Sequence, residues 1–423
     1  MTHRGLAPVR AVLDNGVVVL AKHSEATPAV TIHAAVGAGT IFDAPERSGV
    51  AHFVSRTIDR GTRTQSAGQI ADELDSRGVS LTVTVNRHVM SLVCTCLVED
   101  LDPVLDLLAR VIFDPAFPDD EVSTRRGEII TLIRQDQDNP ATVAVETLMR
   151  ELYGPMHGYG RPARGTLASV ETVDRAALQS FHTARFVPGS LSLVMVGDLE
   201  TGRAVESAGR AFSRWQGSRP VPARLDPASP SSGRRVRVMQ MMNKAQADIA
   251  YGFTSVRRSD ADYYSCWVMN NILGQYAIGG RLGDSIRERQ GMAYYVFSAL
   301  DANVIPGPLT IRAGVSPANV EKSLSSIDEE LGRFAADGPT EAEVVESQQY
   351  LIGSLPRTLE TNAGIATFLQ TTEFFDLGLD YDVRLPDLLK AVTRDDVHQV
   401  ARRILDPARA SVVVAGPYAG TAR

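Results

Sequence analysis

Apolar residues follow two periodicities along this chain, and each predicts a type of secondary structure. Runs such as 91–98 and 309–315 are short and apolar, which is typical of buried strands. Each run leads into a segment whose apolar residues recur every three or four positions, which predicts a helix with one buried face. The residues of these two stripes are Leu101, Val104, Leu105, Leu108, Val111 and Ile112, and then Val320, Leu324, Ile327, Leu331 and Phe334.

The order of these elements is the same in the two halves of the chain. Each apolar-stripe helix is followed by an acidic helix start after a proline, at Pro118 and at Pro339. Each half then ends with a helix and an apolar strand. Four matching elements in one order predict a duplicated α+β fold, with two lobes that each contain a sheet backed by helices.

A stretch rich in proline and serine separates the two halves. Residues 216–233 include Pro220, Pro222, Pro227 and Pro230, and proline disfavours both helices and central strands. We therefore predict an N-terminal domain over 1–215, a linker over 216–233 and a C-terminal domain over 234–423.

Composition narrows the possible classes of function. The 423 residues carry a formal net charge of −7, which argues against a nucleic-acid partner. No run is long and apolar enough for a membrane span, and residues 1–15 have no apolar stretch typical of a secretory signal. The expectation is a cytoplasmic protein without nucleic-acid or membrane partners.

The three cysteines predict no disulfide framework. Cys94 and Cys96 lie two apart in an apolar strand, so they share one face. A metal pair is one interpretation of this spacing, and a pair of small buried core residues is the interpretation that we favour. Cys266 is isolated in the sequence.

Ten short motifs are distributed along nearly the whole chain, at 13–17, 49–53, 60–62, 159–162, 165–166, 181–182, 186–188, 271–274, 281–282 and 286–294. In this order they resemble the M16 (pitrilysin/insulinase-like) zinc peptidases, and specifically their short two-domain M16B type. The resemblance implies two homologous α/β lobes, each with a mostly antiparallel sheet backed by helices.

The zinc motif of that family is degenerate in this chain. Active members carry H-x-x-E-H on a helix, with two histidine ligands on one face and the glutamate as general base. The corresponding residues are His52, Ser55 and Arg56. The position of the distal glutamate ligand falls on Leu132, or on Thr131 if the alignment shifts by one residue. The resemblance therefore implies no metal in this chain. An improvised site that uses His52 with Glu128 is the alternative.

A second family feature is present. In active dimers the distal half contributes an arginine and a tyrosine, seven positions apart, that face the zinc and hold the peptide; Arg287 and Tyr294 match this pattern. A guanidinium and a phenol can both donate hydrogen bonds to an oxyanion. The structural alternative is a solvated helix arginine and an ordinary strand tyrosine.

The resemblance implies a non-catalytic subunit of a heterodimeric zinc peptidase. A homologous partner with an intact H-x-x-E-H motif would hold the zinc, and Arg287 and Tyr294 would act in trans on its peptide substrate. The alternative is a structural or peptide-binding protein without peptidase activity, either a homodimer or a scaffold subunit.

Overall fold

The protein folds into two compact units that each contain one sheet with helices packed on it. The computed structural model describes residues 5–25, 27–217, 233–274 and 279–420. This architecture confirms the predicted α+β class with two similar lobes. Most of the predicted linker, residues 218–232, lies outside the described residues.

Unit 1 consists of residues 1–133, 162–224 and 355–383. In its described part the sheet has the order β1-β2-β6-β3-β5-β4. The strands are β1 Val9–Val12, β2 Val18–His23, β3 Ala29–Val36, β4 Thr82–Val85, β5 Met90–Leu97 and β6 Leu191–Gly197. The helices that lie wholly or mainly in this unit are α1 Val50–Thr57, α2 Ala67–Asp75, α3 Leu101–Phe113, α4 Asp119–Gln137, α6 Leu167–Thr172, α7 Arg175–Arg185, α8 Thr201–Phe212 and α12 Asn362–Phe374.

Unit 2 consists of residues 134–161, 225–354 and 384–423. Among its described residues the sheet has the order β7-β11-β8-β10-β9. The strands are β7 Arg235–Gln240, β8 Ala247–Thr254, β9 Ala293–Leu300, β10 Pro308–Val315 and β11 Ser411–Gly416. The helices that lie wholly or mainly here are α5 Pro140–Tyr153, α9 Tyr263–Gly274, α10 Val320–Asp337, α11 Glu341–Thr358, α13 Tyr381–Lys390 and α14 Arg394–Ile404, together with a π-helix, Gly283–Arg289.

The two sheets repeat one topology. The order β2-β6-β3-β5-β4 in unit 1 corresponds to β7-β11-β8-β10-β9 in unit 2. In each, the first pair of strands is parallel and the following pairs are antiparallel. The sheets are therefore mostly antiparallel, as predicted, and the strand order supports an internal duplication.

The units exchange one helix each. α5 comes from the first half of the chain but belongs to unit 2, where a Cβ at Gly252 of β8 would lie 2.9 Å from Leu148 of α5. α12 comes from the second half but belongs to unit 1, where Ile365 and Leu369 pack with Val194 of β6. The compact units thus differ from the predicted continuous domains, 1–215 and 234–423, because hydrophobic periodicity does not identify the sheet on which a helix packs.

The predicted apolar faces lie in the cores. Leu105, Leu108 and Ile112 of α3 are buried, as are Ile327 and Leu331 of α10. Cys94 and Cys96 point to the core side of β5 as free thiols, and burial raises the pKa of each to about 12. None of the helices in the described ranges is long and apolar enough to cross a membrane.

Candidate functional site

A buried aspartate fixes the start of α1, the helix that carries the degenerate zinc motif. The Asp43 carboxylate accepts hydrogen bonds from the backbone N–H groups of Gly49 at 2.7 Å and Ala51 at 3.0 Å. Gly49 has a φ of +95°, and a Cβ there would lie 2.4 Å from the Arg164 carbonyl oxygen. Glycine is therefore required at this helix start.

Two of the three motif residues on this helix are partly exposed, and the third, Ser55, is buried. Phe53 and Val54 are fully buried, whereas His52 and Arg56 are half-buried and lie one turn apart on one face. The Ser55 hydroxyl donates to the His52 carbonyl oxygen at 2.7 Å. Ser55 is thus bonded to the backbone of its own helix.

Arg56 pairs with a carboxylate on α4. Its Nη2 lies 3.4 Å from Glu128 Oε2. Leu132 is one turn further along α4 and half-buried. Arg125 also binds Glu128, and it lies 3.3 Å from Glu121. Hydrogen bonding from Arg125, supplemented by Arg56, lowers the pKa of Glu128, so this carboxylate is charged and already paired.

Asp59 is a third acid beside Glu121 and Glu128, and with Arg56, Arg60 and Arg125 these acids form a charged cluster. Asp59 lies 3.3 Å from Arg60 Nε, and the charges of Arg60, Arg125 and Arg56 all act on it. Burial nevertheless outweighs these charges and raises the pKa of Asp59. The sequence motif did not reveal this network, although the arginines at positions 56 and 60 were a visible signal.

The residues at these positions do not fit a zinc ion. Arg56 has no lone pair, Leu132 has no donor atom and Ser55 cannot act as a base near neutral pH. In the ranges that the structure describes, no group of three or more His, Cys, Asp or Glu side chains is arranged to hold a metal ion. Among the described residues there is thus no three-ligand group of the kind that the improvised site would need.

The distal arginine lies on an unusual helix. Arg287 belongs to the seven-residue π-helix Gly283–Arg289, which Ile286 anchors in the core. Its Nε lies 3.7 Å from Glu288 Oε1, and its side chain is 35% exposed. π-helices are rare and occur frequently at functional sites. The sequence did not predict this conformation.

A tight connection joins the π-helix to β9. The Gly291 N–H donates to the Arg287 carbonyl oxygen at 3.0 Å, and the Met292 N–H donates to the Ile286 carbonyl oxygen at 3.1 Å. Gly291 has a φ of +61°. This turn leads directly to Tyr294 at the start of β9, the edge strand of the sheet.

Two adjacent tyrosines have different environments. Tyr294 is 67% exposed. Tyr295 donates its hydroxyl to the buried carboxylate of Asp248, and burial raises its pKa. A Cβ at Gly314 on the paired strand would lie 2.5 Å from the Tyr295 ring. Tyr295 is therefore packed and bonded within the unit, whereas the Tyr294 side chain is accessible.

Comparison with known proteins identifies the family. Residues 18–166 match the insulinase (peptidase family M16) profile, and residues 172–351 match the profile described as the peptidase M16 inactive domain. The chain belongs to peptidase family M16.

Two relatives are similar to this chain over most of their length. A Mycobacterium leprae protein named as an uncharacterized zinc protease is 27% identical, over 98% of this chain and 93% of the relative. A Bacillus subtilis protein with the same kind of name is 24% identical, over 83% of this chain and 84% of the relative.

Solved structures share the fold. A Pseudomonas fluorescens structure, described as a peptidase M16 inactive domain, has a TM-score of 0.91 and 24% identity, with 98% of this chain and 99% of that chain covered. A Helicobacter pylori protease has a TM-score of 0.89 and 16% identity, with 97% and 99% covered.

Proposed function

We propose that this chain is the non-catalytic, substrate-binding subunit of a heterodimeric M16 zinc peptidase. A homologous partner with an intact H-x-x-E-H motif holds the zinc, and this chain contributes Arg287 and Tyr294 to peptide cleavage there. Two features support these separate roles of the two subunits. Arg56 and Leu132 lie at two zinc-ligand positions of this chain, and Arg287 and Tyr294 are both present.

The exposure of Tyr294 is the observation that carries the proposal. A tyrosine of an edge strand that is 67% exposed adds little to the core. Its neighbour Tyr295 makes the buried hydrogen bond to Asp248. The fold thus has one tyrosine for structure and a second that can contact another molecule.

Arg287 and Tyr294 have the chemistry needed to stabilise a negative charge on a peptide oxygen. A guanidinium presents several N–H donors in a planar fork, and the phenol donates one O–H. Donors placed where charge develops in the transition state stabilise it more than the ground state. The zinc expected in the partner supplies the activated water, and the substrate class is peptides.

The test compares kcat between dimers in which the zinc-holding partner is combined with the parent chain or with a variant of it. We expect Arg287→Ala and Tyr294→Phe each to lower kcat on one peptide by about 10²–10³-fold, the usual effect of removing one oxyanion donor. Arg289→Ala is the matched control, because Arg289 ends the same π-helix and pairs at the surface with Asp284 at 2.9 Å. Each variant is co-purified with the partner, and a 1:1 complex is verified before kcat is measured.

An unchanged kcat for both variants would remove the catalytic contribution and leave the chain as a structural or peptide-binding subunit. An equal loss with Arg289→Ala would indicate damage to the π-helix instead of a specific role for Arg287.

A further inference from the structure

Three arginines near the degenerate zinc motif have unused hydrogen-bond donors. The Nε atoms of Arg56, Arg60 and Arg125 are buried, and none has a hydrogen-bond acceptor within the described residues. The nearest carboxylate oxygen to Arg60 Nε, from Asp59, is 3.3 Å away but outside hydrogen-bonding geometry. Buried N–H groups are seldom left unpaired, because the lost hydration costs free energy.

The acids of the cluster do not satisfy these donors. Glu128 is shared between Arg56 and Arg125, and its contact with Arg56 is long at 3.4 Å. Arg125 is also held by Glu121. The two Glu128 oxygens each accept from one guanidinium, and neither accepts from an Nε atom. An additional oxygen acceptor would complete the cluster.

The outer parts of these side chains reach solvent, although their Nε atoms are buried. The side chains of Arg56 and Glu128 are 41% and 38% exposed, and that of Arg60 is 38% exposed. Arg125 lies deeper at 18%. The cluster therefore has a protected inner guanidinium and two outer guanidiniums that a bound group can contact.

The charge balance favours a singly charged, planar ligand. Glu121, Glu128 and Asp59 lie beside the three arginines, so a doubly charged phosphate would meet strong like-charge repulsion. A carboxylate carries one charge, and its two oxygens match the guanidinium fork. A divalent metal is disfavoured by the same three cations.

We propose that the degenerate zinc position is a carboxylate-binding site, in which Arg56, Arg60 and Arg125 hold a carboxylate of a bound peptide. This carboxylate is either the free C-terminus or an aspartate or glutamate side chain. That the carboxylate belongs to a peptide rests on the proposed function, whereas carboxylate binding itself does not. A site that once held a cation would now hold an anion.

The test uses the full chain alone and three short probes in calorimetric titrations at low ionic strength, where charged contacts are least screened. The probes are N-acetyl-tetra-alanine with a free carboxylate, its C-terminal amide, and the amide of N-acetyl-Ala-Ala-Glu-Ala. We expect the first to bind about tenfold or more tightly than the neutral amide, in line with the loss of a charge-assisted hydrogen bond. Tight binding of the third probe as well would identify a side-chain carboxylate as an equally good ligand.

A double variant tests whether the cluster is responsible. Arg56→Gln with Glu128→Gln removes one cation and one anion and leaves Arg125 paired with Glu121. This double variant should abolish the preference for the acid. The control is Arg63→Gln with Asp114→Asn, a surface pair of the same unit, which should bind like the parent chain. If the first double variant unfolds, Arg60→Gln gives the same test without touching the pair between α1 and α4.

Equal binding of the acid and the neutral amide would overturn the proposal. Loss of acid binding on addition of a chelator would also overturn it, because the ligand would then be bound through a metal. Neither outcome depends on the partner subunit, so this proposal and the proposed function can fail separately.

Discussion

The Arg56 guanidinium lies 3.4 Å from the Glu128 carboxylate and joins α1 to α4 through an ion pair. In active M16 peptidases, the same two elements are expected to be joined by a metal ion. In this chain the contact between the two helices is a direct ion pair. Because both side chains are about 40% exposed, solvent weakens the attraction.

Removal of Arg56 should have a small effect on stability. We expect Arg56→Ala to lower the free energy of unfolding by about 0.5–1 kcal/mol, the upper part of the range for partly exposed pairs. Arg125→Ala should cost more, because Arg125 is only 18% exposed and binds both Glu121 and Glu128. Urea denaturation measures the unfolding free energy of both variants. An equal loss in the two, or a larger loss for Arg56→Ala, would contradict the structure.

The purified chain should bind no stoichiometric zinc, because two ligand positions carry Arg56 and Leu132. We expect the triple change Ser55→Glu, Arg56→His and Leu132→Glu to restore zinc binding but little cleavage, since groups that orient the ligands are also needed. Metal analysis and a peptide-cleavage assay measure the two properties. One zinc per unmodified chain, or turnover of the triple variant comparable to an active relative, would show this expectation to be wrong.

The adjacent tyrosines should respond differently to loss of the hydroxyl. Tyr295→Phe should destabilise the protein by about 1–3 kcal/mol, because the buried Asp248 carboxylate loses a donor. Gln246, at 3.1 Å, still donates to it. Tyr294→Phe should change stability by less than about 0.5 kcal/mol. Thermal or chemical denaturation measures the stability of the two variants. Similar losses of stability in both would mean that Tyr294 supports the fold.

Two buried histidines should make the protein sensitive to acid. Burial lowers the pKa of His33 and His88 from 6.5 to about 4. The unfolded chain therefore takes up protons below pH 6.5, while the native histidines stay neutral until about pH 4. Stability should be unaffected by them above pH 6.5 and fall as the pH drops towards 4, by up to about 3 kcal/mol for each.

Substitution checks the source of this acid sensitivity. His33→Gln can keep a hydrogen bond to Ser91, which lies 3.1 Å from the His33 ring. The unfolding free energy of His33→Gln, measured by denaturant titration between pH 7 and 4, should depend less on pH than that of the parent chain. His23→Gln is the control, because His23 is 37% exposed. Parallel pH profiles for His33→Gln and the parent chain would refute this assignment.

Hydrophobic spacing was enough to predict the elements and their buried faces. The stripe from Leu101 to Ile112 lies on α3, and the alternation at Cys94 and Cys96 lies on β5. These features depend on residues close together in sequence, whose relative directions the local backbone fixes. The repeated order of elements also indicated two similar sheets.

Features that depend on distant residues were not predictable. Arg56 and Glu128 are 72 positions apart, and spacing contains no information on such a contact. The π-helix around Arg287 follows from how its residues pack, since the same sequence is compatible with an ordinary α-helix. The motif predicted which ligand positions are changed, but not the contacts that the residues at those positions make.

The exchange of α5 and α12 makes the two halves of the gene inseparable. Each sheet is completed by a helix that the other half of the chain encodes. After the ancestral duplication, neither copy could be deleted, shuffled or transferred alone without exposing the apolar surface that the missing helix covers. Substitutions within one element of such a chain leave both sheets covered, whereas loss of either half uncovers one of them.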